Sequence, residues 1–364
     1  MKIGVIMPIK GGIINATASV ARVHRALICA SLSDKETYIE SNELPDDISA
    51  TIKDLNSKGA KIRYNGGGFE VIPIPLELPK SDRGDKEEYW LQGDKAYSSI
   101  SGLFFTLPLL STDSRIIIQG KEEYRSYIDM TIDMLKAFSV EVERKSRDDG
   151  GAEYKICAGQ RFITPGKIKA EGDWTNSAFW LCAAAIQGDG IICSNLSRSS
   201  RQADKEVVSI LERFSAVAAY KGDSVAVRRN RLRSIRIDAA EAPDIMPAVA
   251  IVAAVTEGQS IIYNAERVGL VENGMMKKIS TALLGLGADV VPNSDGLVII
   301  GKQRLRGGVV SSQGDHRIAM MTAIASGVCD DTVAIVDALA VNKSYPDFYD
   351  DFEKMGGQLL KKIV

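Results

Sequence analysis

Histidine is nearly absent from this chain: His24 and His316 are the only two among 364 residues, and they lie in different segments. That scarcity argues against a metal centre built on imidazole. Five cysteines, Cys29, Cys157, Cys182, Cys193 and Cys329, show no paired spacing. Most fall in apolar helix or strand patterns, so they read as buried thiols of a reducing cytoplasm and not as a disulfide framework. No run of about 18 apolar residues occurs, so no membrane-spanning helix is expected. The opening MKIGVIMPIKGG has too short an apolar stretch, and no cleavage signal, for a secretory leader. Basic excess is lacking as well. Lys and Arg total 45 against 47 Asp and Glu, for a net charge of −2, which argues against broad nucleic-acid binding.

What the chain has is repetition. A two-helix signature begins at Thr17, Gly93, Gly172, Pro243 and Gly314, at intervals of about seventy to eighty residues. Three starts read Gly-Asp (Gly93-Asp94, Gly172-Asp173, Gly314-Asp315) and a fourth reads Pro243-Asp244. Each is followed by a small-residue apolar helix pattern, such as AFWLCAAAI or RIAMMTAIAS. A second helix then stops in a Gly- or Ser-centred turn and runs into a strand, as at Gly59-Ala60, Ser139-Val140, Ser215-Ala216 and Gly287-Ala288. A fixed period of this kind implies an array of one supersecondary unit.

In the third repeat, Lys167–Ala170 reads as a strand, and Asp173 or Thr175 as the cap of the first helix. Ile191–Ser194 is the next strand, and Gln202–Arg213 the second helix. A hairpin turns at Lys221-Gly222-Asp223. The unit is βαβαββ. Gly66-Gly67-Gly68 and Asp148-Asp149-Gly150-Gly151 are hairpin turns of earlier repeats. Asp46-Asp47 reads as an acidic helix start. Lys80–Glu88 is a dense charge run expected to be a solvated, flexible loop. Trp90, Trp174 and Trp180 sit in apolar patterns and read as core. In the fifth repeat the chain ends after one strand of the hairpin, and Lys2–Met7 is the natural partner. The expected architecture is therefore α/β (α+β), a two-domain array of βαβαββ repeats with five units. Residues 16–171 form a domain of two units, and residues 1–15 with 172–364 a domain of three, with a cleft between them.

Every first helix starts in a short strand-to-helix turn. Like-oriented helix N-termini expose unpaired N–H groups and about half a positive charge each, which suits phosphates and other anions. Arg22, Arg25 and Arg317 lie in first turns, while Arg125 and Lys343 precede or open second helices. Arg25 and Arg317 hold matched repeat positions in helices that otherwise look buried.

Several stretches together resemble the enolpyruvyl transferase family. They are His24-Arg25-Ala26-Leu27, Tyr127-Ile128-Asp129-Met130-Thr131, Gly172-Asp173, Pro243-Asp244, Asp315-His316-Arg317-Ile318-Ala319-Met320 and Asn342-Lys343-Ser344-Tyr345-Pro346-Asp347-Phe348. The resemblance spans almost the whole chain. It implies an enolpyruvyl transferase fold with six repeats, three per domain, of which this chain lacks one. It also implies a reaction: a shikimate 3-phosphate hydroxyl attacks C2 of phosphoenolpyruvate, C3 is protonated, and phosphate leaves. By the same resemblance Asp244, Glu272 and Lys343 are the catalytic candidates, as base, as the group near the reacting carbon, and as proton carrier. Arg25, Ser98, Ser99, Arg125, Tyr127, Asp173 and Arg317 are the substrate-binding candidates. No cofactor and no metal are implied, and the expected partners are small anions, with neither nucleic acid nor membrane.

Departures from the family pattern are specific. A bridging lysine is replaced by Val20, and the family's Lys-Glu-Ser/Thr-Asp-Arg stretch reads Val271-Glu272-Asn273-Gly274-Met275. Ala96-Tyr97-Ser98 stands for Ser-Ser-Gln, with Ser98-Ser99 as a partial substitute, and Tyr124 stands for a serine. The Gly-Asn-Ser-Gly-Thr loop and the Arg-Pro arginine belong to the missing repeat. Losing three cationic contacts at roughly 2–5 kcal/mol each predicts weak or altered transfer. Lys10, Arg22, Arg267, Lys277 and Lys278 are the nearby candidates to compensate from shifted positions. Two other functions fit these losses: a catalytically silent homologue that binds an anionic metabolite or a partner subunit, and a transferase with a changed acceptor. A domain short of one repeat leaves apolar surface to cover, which predicts a homodimer through residues 16–171.

Overall fold

The computed structural model describes residues 1–77, 87–93, 97–122, 125–266, 269–271 and 274–362. From the N-terminus, β1 (Lys2–Met7) and β2 (Gly12–Asn15) precede the first repeat, α1 (Val20–Ser31), β3 (Thr37–Glu40), α2 (Asp46–Ser57), β4 (Lys61–Tyr64) and β5 (Gly68–Ile72). The second repeat is β6 (Glu87–Gln92), α3 (Tyr97–Thr106), β7 (Ser114–Gln119), α4 (Arg125–Ala137), β8 (Glu143–Ser146) and β9 (Ala152–Ile156). After β10 (Lys167–Lys169) comes the third, α5 (Trp174–Ile186), β11 (Ile191–Ser194), α6 (Val207–Arg213), β12 (Val217–Lys221) and β13 (Ser224–Arg228). The fourth is β14 (Arg236–Asp238), α7 (Met246–Ala254), β15 (Gly258–Tyr263), α8 (Met275–Gly285), β16 (Asp289–Asn293) and β17 (Gly296–Gly301). The fifth is β18 (Gly308–Ser311), α9 (His316–Ala325), β19 (Val333–Val336), α10 (Phe348–Lys354) and β20 (Gln358–Lys362).

The strands make five four-stranded sheets among the described residues, one per repeat. Each pairs a parallel outer strand with a three-stranded antiparallel set, as in β14-β15-β17-β16. In the fifth sheet β1 supplies the strand the C-terminal repeat lacks. It lies antiparallel to both β19 and β20, with Val5 opposite Val333 and Leu359. The chain divides into two compact units, Met1–Thr17 with Glu171–Val364, and Ala18–Ala170. The sequence places Lys167–Ala170 in the third repeat, and the structure corrects this. β10 is parallel to β3 in the first repeat's sheet, while β2 takes the outer position beside β11. The two short strands are exchanged where the chain passes from one unit to the other and back. Three or four residues of strand carry too little pattern to reveal their sheet.

The core of the larger unit is a trio of helices. α5 is buried except at Thr175, α7 is buried throughout, and α9 from Ile318 to Ala325. A helix apolar on every side belongs in an interior, and these three pack on one another. Alanines such as Ala184, Ala250 and Ala323 let them approach closely. In the smaller unit α1 and α3 both pack on α4, around Leu27, Phe69, Phe104, Leu135, Phe138 and Tyr154. No helix among the described residues is long and apolar enough to cross a membrane.

Three further expectations are corrected. Trp174 and Trp180 are buried, but Trp90 is 53% exposed, because β6 is an edge strand whose outer face is open. Of the charge run, Lys80–Lys86 lies outside the described residues, and Glu87 and Glu88 open β6 instead of continuing a loop. The second helix of the third repeat is not continuous from Gln202: Ala203–Glu206 is a 3-10 turn ahead of α6. Cys157 is exposed, whereas the other four cysteines are buried.

The glycine that opens the repeats has a physical reason. A Cβ on Gly172 would stand 2.1 Å from the Asn195 carbonyl oxygen and 2.9 Å from the Ala16 Cβ. On Gly93 it would stand 2.2 Å from the Lys121 carbonyl. At Gly314 the need is different, a left-handed φ of +68°. Gly172→Ala is therefore expected to destabilise the protein by about 1–3 kcal/mol through forced backbone movement. Urea unfolding measures this, and an unchanged midpoint would contradict the close approach.

Candidate active site

Packing α5, α7 and α9 together brings their N-terminal ends together, and each end carries an aspartate. Asp173 caps α5, accepting the Asn176 amide at 2.8 Å. Asp315 caps α9, accepting the Arg317 amide at 3.0 Å. Asp244 lies in the 3-10 turn Pro243–Ile245 that leads into α7. Arg317 binds two of them. Its Nη1 donates to Asp244 Oδ1 at 2.6 Å, while Nε and Nη2 donate to the two oxygens of Asp315 at 3.2 and 3.1 Å. Lys278 on α8 adds a contact to Asp315 Oδ2 at 3.4 Å. Burial alone pushes the Asp315 carboxyl up, but Arg317, His316 and Lys278 outweigh it and bring it down to about 2.

Next to this pair, His316 is pushed down to about 4 by burial and then by the Arg317 charge, so the imidazole is neutral at pH 7. Lys343 also acts on His316, which places its charge beside the cluster. Lys343 is exposed at the end of the 3-10 turn Ala338–Lys343. The following residue anchors that segment: Ser344 Oγ donates to Asn176 Oδ1, and Asn176 Nδ2 donates to the Ser344 carbonyl, both at 3.3 Å. Gln202 holds the start of α5 from below, accepting the Trp174 amide at 3.0 Å and donating to the Gly172 carbonyl at 2.8 Å. Asp204 is buried and accepts the Thr175 hydroxyl. Burial, then the charge of Asp244, pushes its carboxyl well above the usual aspartate range.

In the smaller unit Arg25 is a clasp between two helices. Its Nε donates to Thr131 Oγ1 at 2.8 Å, its Nη1 to the Ala21 carbonyl at 2.8 Å and its Nη2 to the Tyr127 carbonyl at 3.3 Å. Arg125 opens α4 and pairs loosely with Asp129 at 3.6 Å. Ser98 and Ser99 fall in the first turn of α3, and their side chains lie outside the described residues, as does the whole of Glu272. Val20 is the first residue of α1, and Met275, buried, the first of α8.

Of the sequence candidates, the structure gathers Asp173, Asp244 and Arg317 in the larger unit, with Lys343 beside them, and Arg25, Tyr127 and Arg125 on α1 and α4 in the smaller. It also modifies the dipole expectation. One amide at the head of each of α5 and α9 is already taken by the helix's own aspartate, and the cations here are Arg317, Lys278 and Lys343. Sequence reasoning passed over Asp204, Asn176 and Ser344 as site elements. Asp315 was visible as one of the matched Gly-Asp pairs.

The sign of the Asp315 effect is checkable. A carboxyl whose folded value lies below its unfolded value near 3.9 stabilises the protein above pH 4, and that contribution is lost as pH falls toward 2. Asp315→Asn is expected to cost about 2–3 kcal/mol at pH 7. The gap to the native protein should narrow between pH 4 and pH 2 in denaturant titrations. A gap independent of pH would show that charge is not its source.

Comparison with known proteins places this geometry in context. A family model described as EPSP synthase (3-phosphoshikimate 1-carboxyvinyltransferase) matches residues 48–352. A 3-phosphoshikimate 1-carboxyvinyltransferase of Clostridium novyi is 34% identical, covering 95% of this chain and 95% of the relative. One from Clostridium perfringens is 34% identical over 427 aligned positions, covering 99% of each. Because 427 positions exceed the 364 residues here, at least 63 positions of that alignment face no residue of this chain, close to one repeat. Among solved structures, an EPSP synthase from Acinetobacter baumannii shares the fold with a TM-score of 0.79 at 17% identity, covering 100% of both chains. The enolpyruvyl transferase NikO from Streptomyces tendae does so with a TM-score of 0.75 at 13% identity, covering 99% and 98%.

Proposed function

Because this chain belongs to the EPSP synthase (3-phosphoshikimate 1-carboxyvinyltransferase) family, we propose that it transfers the enolpyruvyl group of phosphoenolpyruvate to the 5-hydroxyl of shikimate 3-phosphate. The observation that carries this reading is the Arg317 guanidinium, half-buried and shared between Asp244 and Asp315. A cation held at the mouth of a helix trio by two carboxylates is a preorganised receptor for an anion.

In this reading Arg317 and Lys343 hold phosphoenolpyruvate, and Asp244 accepts the proton of the attacking hydroxyl. An ion-paired carboxylate is a poor base. A substrate anion that draws Nη1 of Arg317 away frees Asp244 for that task. The hydroxyl oxygen bonds to C2, C3 gains a proton from Lys343, and a later loss of a C3 proton expels inorganic phosphate as the C2–O bond breaks. Glu272 is assigned to the neighbourhood of the reacting carbon. Arg25, Tyr127, Arg125, Ser98 and Ser99 are assigned to shikimate 3-phosphate, and Asp173 to positioning substrate at the head of α5.

Val20 and Met275 put apolar side chains where the family pattern has cations, and this predicts transfer slower than in relatives that keep them. Lys278, bonded to Asp315, partly restores the lost charge from the next turn of α8. The silent-homologue reading is not favoured, since relatives of near-equal coverage at 34% identity carry the transferase name. We assign the enzyme to the cytoplasm and to a homodimer through the smaller unit, where Gly102 and Thr106 of α3 and Leu110 beyond its end are exposed.

Phosphate release from phosphoenolpyruvate should require shikimate 3-phosphate, and Arg317→Ala should lower kcat/KM roughly a hundredfold or more. Absence of release at high enzyme concentration would overturn the assignment. Sedimentation velocity should give a dimer, and a strict monomer at working concentration would remove that part.

A further inference from the structure

Asp204 sits in the 3-10 turn Ala203–Glu206 with 6% of its surface exposed. Its Oδ2 accepts the Thr175 hydroxyl. Its Oδ1 is buried and has no hydrogen-bond partner among the described residues. The groups that face it are Thr175 and Asp173 from the head of α5, Asp244 from the turn before α7, and Arg317 from α9. On its own turn, Lys205 is engaged elsewhere, donating to the Ser200 carbonyl at 2.8 Å. Among the described residues the facing cation is Arg317, which donates from Nε, Nη1 and Nη2 to Asp315 and Asp244. An ionised Asp204 would thus be a buried carboxylate beside the partly exposed Asp244, with a single hydroxyl for support among the described residues, a costly arrangement. Taking up a proton removes the charge, which is the direction in which burial and Asp244 both push it.

We propose that Asp204 is a proton-bearing positioning residue: as a neutral acid it fixes Thr175 at the head of α5 and keeps a second negative charge away from the Asp244–Arg317 pair that receives the substrate anion. The proposal deepens the transferase reading and rests on it only for the identity of that anion. While Asp204 holds its proton, an entering anion competes with Asp244 for Nη1 of Arg317. Once the proton is lost, the same anion meets an added carboxylate, and binding weakens. The dependence is thus one of stronger binding on the acid side and weaker binding on the alkaline side.

The test uses the full chain and two readouts. Calorimetric binding of phosphoenolpyruvate between pH 7.5 and 9.5, above the phosphate's own titration near pH 6, should show affinity falling roughly tenfold. Asp204→Asn, which keeps size and polarity, should flatten that profile. Infrared titration of the ligand-free protein should show a protonated-carboxyl band at pH 7 that disappears on the alkaline side and is missing from Asp204→Asn. Thr175→Val, which removes a donor to the ionised form, should move the midpoint to higher pH. A purely structural Asp204 would give matching pH profiles in both proteins. That result, or the absence of the band from the native protein at pH 7, would overturn the proposal. The infrared arm needs no ligand, and the Asp204→Asn spectrum assigns the band. If phosphoenolpyruvate fails to bind while the band titrates as expected, the fault lies with the substrate assignment and not with Asp204.

Discussion

Three helices without a polar side set the terms for the larger unit. α5, α7 and α9 have no residues to offer water along most of their length, so they can only be satisfied by one another and by the sheets around them. Once they are bundled, their first turns are neighbours whatever those turns contain. They contain aspartates, and grouping aspartates in a half-buried place is electrostatically unfavourable. The protein answers with one guanidinium spread over two carboxylates, one ammonium from α8 and, at Asp204, a carboxyl driven toward its neutral form. The chemistry proposed for the site follows from this solution. A cation committed to two internal carboxylates is already oriented, and an external anion has only to compete for one of its arms.

The smaller unit solves a different problem with the same residue type. Arg25 spends its donors on Thr131 and on two carbonyls, so it acts as a fastener between α1 and α4. The binding role assigned to it uses the same side chain, a guanidinium with five N–H donors. A residue that both joins two helices and presents charge makes the helix packing and the ligand site depend on each other.

Much of this architecture could be read from the residues in order. The Gly-Asp starts, the Ala-rich helices and the hairpin glycines each answer to a local steric need, such as the carbonyl 2.1 Å from where a Cβ of Gly172 would stand. The strand Lys2–Met7 could be paired with the C-terminus because the last repeat was visibly one strand short. The exchange of β2 and β10 was hidden, since strands this short have no pattern that distinguishes one sheet from another. Trp90 misled because an edge strand shows the same alternation as an inner one. Arg317 and Asp244 were found through their repeat positions and family likeness. Asp204 was missed because Ala203–Glu206 reads as an ordinary acidic helix start, and its burial is a tertiary fact created by the heads of α5 and α7.

The placement of β1 also bears on how the molecule is made. During synthesis it emerges ahead of the other described strands, yet its two neighbours, β19 and β20, are the last of them to follow. At ordinary elongation speeds the wait is roughly tens of seconds. Residues 18–170 are translated without interruption and contain all of their own sheets, so they can mature while the remainder is still being assembled. β1 must stay unattached throughout, and the emergence of β20 becomes the event that lets the larger unit close this sheet.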